Sequence, residues 1–221
     1  MTRPIRILIT GFKPFPGAPY NPTEKLVARL MQLRRPVLSD VDRIAHIFPV
    51  AYRAVDRELP ELIDIHTPDA LLMFGLAART KYVRIETRAR NTVTQIWPDA
   101  EHASVRHRAI VAHADSTARF GVHTNQLLQA ARQTGIDARA SLNAGYYLCN
   151  YLSWRAIEQT RIENGPKLAA FIHVPKMPRD PTNIRKGSAA CVTFETLVDA
   201  GEALLMSMVK LANQRRFNAQ I

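Results

Sequence analysis

Cysteine is scarce in this chain: Cys149 and Cys191 are the only two among 221 residues. They form no CxxC pair, and two such thiols cannot build a disulfide framework or a structural zinc site. Long apolar runs are missing as well. The longest, Ala70 to Ala78, contains Gly75 and falls far short of the roughly 20 residues that span a bilayer. The opening Met1-Thr2-Arg3-Pro4-Ile5-Arg6 leads into no apolar stretch of signal-peptide length. A cytoplasmic location, free thiols and no membrane partner are therefore expected. Acidic residues are the remaining deficit, 19 Asp+Glu against 30 Lys+Arg, which leaves a formal charge of +11.

An excess of that size raises nucleic acid as a partner. The basic residues, however, never run beyond adjacent pairs such as Arg34-Arg35, Arg185-Lys186 and Arg215-Arg216. No helix-turn-helix, zinc-finger or aromatic-basic stacking pattern accompanies them. A nucleic-acid-binding protein is kept only as the alternative from another class. What is present is globular: a hydrophobic share of 47% and a charged share of 22% exclude a mostly disordered chain. The length suits one domain, 1–221, able to bury its own core.

Strand and helix patterns alternate along it. Ile5 to Thr10 is β-branched and meets Gly11, predicting a first strand. Asn21 followed by Pro22 predicts an N-cap and first helical position, with the helix running to about Leu33. Further strands are expected at 44–50, 70–74, 82–89, 138–142 and 168–174, and helices at 53–65, 125–134 and 147–160. The stretch from Asn91 to Thr117 reads as a polar excursion or hairpin, and a last amphipathic helix is predicted from about Cys191 to Ala212. With no linker or repeat, this alternation predicts a three-layer α/β/α sandwich around a mostly parallel twisted sheet. Ligands of such folds sit beyond the carboxyl ends of the strands, which points to the loops after Thr10, Phe74, Leu142 and Val174.

Cys149 falls in one of those places, after a strand and a small-residue turn and in the first turn of a helix. Free N–H groups and the helix dipole there favour a thiolate, against the plainer reading of a buried packing residue. Cys191, among Ala189, Ala190 and Val192, reads as packing. A thiol nucleophile needs a base, and of seven histidines only His173 ends an apolar strand. His102, His107, His113 and His123 read as exposed residues of the polar excursion or its edge, while His46 and His66 show no partner in sequence. The imidazole needs an orienting group, and Glu86 is the only acidic residue between Asp69 and Asp99. Its plainer reading is a charge-paired surface strand, Arg84-Ile85-Glu86-Thr87-Arg88.

Taken together, these segments resemble the pyroglutamyl peptidase I (pyrrolidone-carboxylate peptidase) family of cytosolic cysteine peptidases. The resemblance rests on Thr10-Gly11-Phe12-Lys13-Pro14-Phe15 with Asn21-Pro22-Thr23, on Gly75-Leu76-Ala77 leading to Glu86 and Asn91, on Ser141 to Asn150 around Cys149, and on Phe171-Ile172-His173-Val174-Pro175 with Pro178. It implies Cys149 as nucleophile, His173 as general base and acid, and Glu86 as the group orienting His173. It also implies Phe12, Phe15 and Tyr147 around a flat lactam ring, with backbone near Phe15 and Leu76 bonding its amide. The implied partners are peptides or proteins with an N-terminal pyroglutamate and further copies of the chain, as a homotetramer. No metal and no organic cofactor are implied. Leu76 stands where the family usually carries Gln, Thr87 where it carries Arg, and Tyr147 where it carries Phe. The extra Tyr147 hydroxyl requires a partner. A related thiol amidase with altered N-terminal specificity is the alternative within this class.

Overall fold

The computed structural model describes residues 3–15, 17–177 and 192–218. Pro178, Pro181 and Cys191 lie outside the described residues. Five segments build one end of the sheet: β1 (Ile5–Phe12), α1 (Pro22–Met31), β2 (Val41–Phe48), α2 (Tyr52–His66) and β3 (Ala70–Ala77). They are followed by β4 (Val83–Glu86), β5 (Arg88–Arg90), β6 (Thr117–Arg119), α3 (His123–Gln133), β7 (Ala138–Ser141), α4 (Leu148–Gln159), β8 (Leu168–Pro175) and α5 (Phe194–Asn218). Six strands form one sheet in the order β2-β1-β3-β8-β4-β7, and β5 and β6 form a separate two-stranded ribbon. The excursion from Asn91 to Thr117 is thus the long connection inside that ribbon.

β1, β3 and β8 are parallel, buried and apolar, as strands covered on both faces should be, and β2 adds a parallel, partly exposed edge. One face packs on α1, α3 and α5 and the other on α2, α4 and the ribbon, giving the expected three layers. The sheet is mostly parallel, as expected, with one antiparallel junction: β4 pairs antiparallel with β8, and β7 runs parallel to β4. The reversed pair matters for the site. Glu86 and Ser141 end level with Phe171, part-way along β8, rather than at an end of the sheet.

Several boundaries differ from the sequence expectation for identifiable reasons. The predicted strand at 82–89 is split, because Thr87 leaves the sheet and β5 pairs with β6 instead. β1 continues through Gly11 because its ladder with β2 holds to Phe12 and Phe48. Glycine is needed there: a Cβ on Gly11 would lie 3.0 Å from Thr23 Oγ1, the group that caps the end of β1. Asn21 caps α1 as expected, its side chain accepting from Thr23 N at 3.1 Å. α5 begins at Phe194, where Thr193 Oγ1 accepts from Thr196 N at 3.2 Å, and it outlasts the apolar pattern. Its last turn is held by Arg216, which donates to Asp69 at 2.7 Å and to Pro4 O at 2.9 Å.

Candidate active site

β3 and β8 place the first two components. Their register pairs Gly75 with His173, so both residues address the same face of the sheet. His173 is buried, with the Phe171 ring against its own at 5.0 Å. On the other side of β8, the antiparallel β4 sets Glu86 opposite Phe171, one diagonal step from the imidazole. The Glu86 carboxylate is fully buried, far from the surface strand its composition suggests, and its Oε1 lies 2.7 Å from His173 Nδ1. A carboxylate at Nδ1 assigns the proton to that nitrogen in the neutral ring and leaves Nε2 as acceptor. Burial by itself would raise the Glu86 carboxyl. The hydrogen bond and field of His173, with Ser141 and Arg84 beside it, outweigh burial and hold it below the ordinary carboxylate value.

α4 delivers the third. Cys149 is the second residue of that helix, and Tyr147 stands at the cap with no side-chain hydrogen bond to it. The sulfur fits because Gly75 has no side chain. A Cβ there would lie 2.8 Å from Cys149 Sγ and 2.6 Å from Phe171 Cζ. Thiol, imidazole and carboxylate therefore share one face of the sheet around the bare backbone of Gly75. Burial works against the thiolate that a helix start favours. Burial, reinforced by the Glu86 charge and only partly opposed by Arg84, pushes the Cys149 thiol up to about 12, so desolvation opposes the helix start and favours the thiol form.

The aromatic residues divide. Phe15 and Tyr147 are neighbours, with ring centroids 6.2 Å apart, and Tyr52 meets Tyr147 edge-on at 5.9 Å. The Tyr147 hydroxyl has found its partner, donating to Pro98 O at 2.9 Å. Burial, with the charges of Asp99 and Cys149, pushes it up to about 12. Phe12 is drawn into the core against Phe48 at 6.1 Å. Leu76 follows Gly75 along β3, so its side chain points to the opposite face.

Sequence reading missed several residues that hold this arrangement. Arg84 Nη2 lies 2.8 Å from Glu86 Oε1 as an ion pair, and the two-residue spacing within one strand was the available signal. Asp99, in the polar excursion, is buried and accepts from Tyr52 N at 3.0 Å and from Glu101 N and Ala103 N at 2.9 Å. Two histidines also differ from expectation. His123 is buried, with Nε2 at 2.8 Å from Ala169 O, and His46 has a partner in Glu58 at 2.9 Å. Among the described residues no three His, Cys, Asp or Glu side chains gather as a metal site, and no helix is long and apolar enough to cross a membrane.

Comparison with known proteins places this geometry. The family model for pyroglutamyl peptidase matches residues 5–210. The chain belongs to the pyroglutamyl peptidase family. That membership makes it a cysteine peptidase. The pyrrolidone-carboxylate peptidase of Pyrococcus furiosus is 29% identical over 174 residues, covering 79% of this chain and 82% of the relative. That of Thermococcus onnurineus is 28% identical over 206 residues, covering 93% of this chain and all of the relative. The solved pyrrolidone carboxyl peptidase of Thermococcus litoralis superposes with a TM-score of 0.82 at 26% identity, covering 95% and 96% of the two chains. The pyroglutamyl peptidase family thus accounts for the α/β/α sandwich with its sheet.

Proposed function

We propose that this peptidase removes an N-terminal pyroglutamyl residue from peptides and proteins, with Cys149, His173 and Glu86 as its catalytic residues. The observation that carries the reading is the buried Glu86–His173 hydrogen bond of 2.7 Å beside the Gly75 gap that admits Cys149 Sγ. His173 Nε2 takes the thiol proton as sulfur attacks the carbonyl following the pyroglutamyl ring, so no preformed thiolate is required. Backbone N–H groups at the start of α4 stabilise the oxyanion, a contribution of roughly 3–4 kcal/mol per donor. The tetrahedral adduct then loses its C–N bond, and the proton on His173 leaves with the amine. Water, deprotonated by His173, hydrolyses the thioester and releases 5-oxoproline and free Cys149. Glu86 holds the imidazole in the required tautomer and stabilises the transient imidazolium. Phe15 and Tyr147 flank the lactam, with Phe12 buried behind them as part of the pocket floor, and backbone at Phe15 and Leu76 binds its amide.

Every group in this sequence of steps comes from the chain or from water. By resemblance, the working form is a cytoplasmic homotetramer. On a pyroglutamyl arylamide, Cys149→Ala and His173→Ala lose at least about 1000-fold in kcat, and Glu86→Gln a smaller factor. Full activity in Cys149→Ala overturns the mechanism. Turnover of other blocked N-termini in place of pyroglutamyl overturns the specificity and leaves a thiol amidase.

A further inference from the structure

Glu86 poses an electrostatic problem that the triad alone does not solve. Its carboxylate is fully buried, its Oε1 is engaged, and its Oε2 has no hydrogen-bond partner among the described residues. A buried carboxylate needs a positive neighbour or it takes up a proton. Any proton that the carboxylate draws onto His173 leaves an imidazolium, which cannot accept the Cys149 proton.

Arg84 supplies a permanent charge at this point. Arg84 and Glu86 are two residues apart on β4 and share a face, and the guanidinium reaches Oε1 at 2.8 Å while its own side chain is 18% exposed. It does not stop there. Nη2 and Nε donate to Ser141 Oγ at 2.7 and 3.2 Å, and Nη2 also donates to Asn143 O. Ser141 Oγ accepts from Asn143 N at 3.2 Å, and Asn143 Oδ1 accepts from Gly145 N at 3.0 Å. One guanidinium therefore joins the carboxylate behind the imidazole to the loop that leads from β7 into the Cys149 helix. Only a planar fork makes all these bonds at once.

We infer that Arg84 is a positioning residue of this enzyme: it keeps Glu86 ionised while His173 stays neutral, and it fixes the 141–145 loop that presents Cys149. This rests on the triad reading above. Among the described residues, the charged and titratable groups around Glu86 are Arg84 on its own strand, His173 on β8 and Cys149 on α4, with the Ser141 hydroxyl on β7.

The test compares Arg84→Met and Arg84→Lys with the parent on a pyroglutamyl arylamide, with circular dichroism as the folding control. Arg84→Met is expected to lose about 10- to 100-fold in kcat, with KM changed less than about twofold. The acidic limb of its kcat/KM profile moves up by about one pH unit, because the buried carboxylate now retains a proton on His173. Arg84→Lys returns the limb to the parental position but recovers only part of kcat, since an ammonium cannot span Glu86, Ser141 and Asn143. A readout independent of substrate is the downfield proton resonance of the His173 Nδ1–H donated to Glu86, which shifts in Arg84→Met. Parental kcat, limb and resonance in Arg84→Met overturn the inference. If Arg84→Met does not fold, a parental kcat in Arg84→Lys overturns the proposed loop-fixing role. A parent that leaves the arylamide untouched, with the resonance shifted in Arg84→Met, overturns the substrate reading and sustains the role of Arg84.

Discussion

Gly75 is the residue on which the site closes most tightly. Its missing Cβ would meet two atoms that have nowhere to go: Phe171 is fully buried, and Cys149 Sγ belongs to a helix start fixed by its neighbours. Gly75→Ala is expected to cost about 1–3 kcal/mol in stability through overpacking. Activity falls further, by about 100-fold, because the sulfur and the imidazole are pushed apart. Denaturant titration and kcat on a pyroglutamyl arylamide measure the two effects separately. Retention of parental kcat would show that the sulfur works from another position.

At the scale of elements, the join between α4 and β5 is made by one side chain. Asn150, fully buried beside Cys149, accepts from Arg90 N at 2.8 Å and donates to Arg90 O at 2.8 Å and to Thr92 O at 2.9 Å. Asn150→Ala leaves those backbone groups unpaired, and a loss of about 3 kcal/mol is expected in urea unfolding. A loss under about 1 kcal/mol would mean that water replaces the amide. Elements of this kind were legible in sequence to different depths. The apolar strands, the Asn21 cap and the position of Cys149 in a first helical turn follow from local composition, and local composition was enough to find them. The reversal of β4 and β7 was not legible, since strand direction is set by partners distant in the chain. The end of α5 depends on Arg216 meeting Asp69, and Asp99 acts from a loop with no periodicity. Glu86 stood out as a candidate in the sequence, but its burial was hidden behind the charged residues of its own strand.

Across the whole molecule, pH acts on folding through a histidine outside the site. His123 is buried at the start of α3, its Nδ1 has no hydrogen-bond partner among the described residues, and burial lowers it from the ordinary value of 6.5. The unfolded chain takes up that proton more readily than the folded one. Stability is therefore intact above about pH 6.5 and declines as the pH falls below it. Glu86, also depressed, contributes in the same direction only below its ordinary value of 4.5. Melting temperatures measured from about pH 7.5 to 5.5 should fall in the parent and fall less in His123→Gln, whose amide donates to Ala169 O without titrating. Equal slopes in the two proteins would place the sensitivity elsewhere.

The depth at which Cys149 sits also decides how the protein meets an oxidant. Peroxides and disulfides attack thiolates, not thiols. With burial pushing the thiol up to about 12, little of the vulnerable form is present at neutral pH, and the same burial that holds the sulfur in place shields it from oxidants.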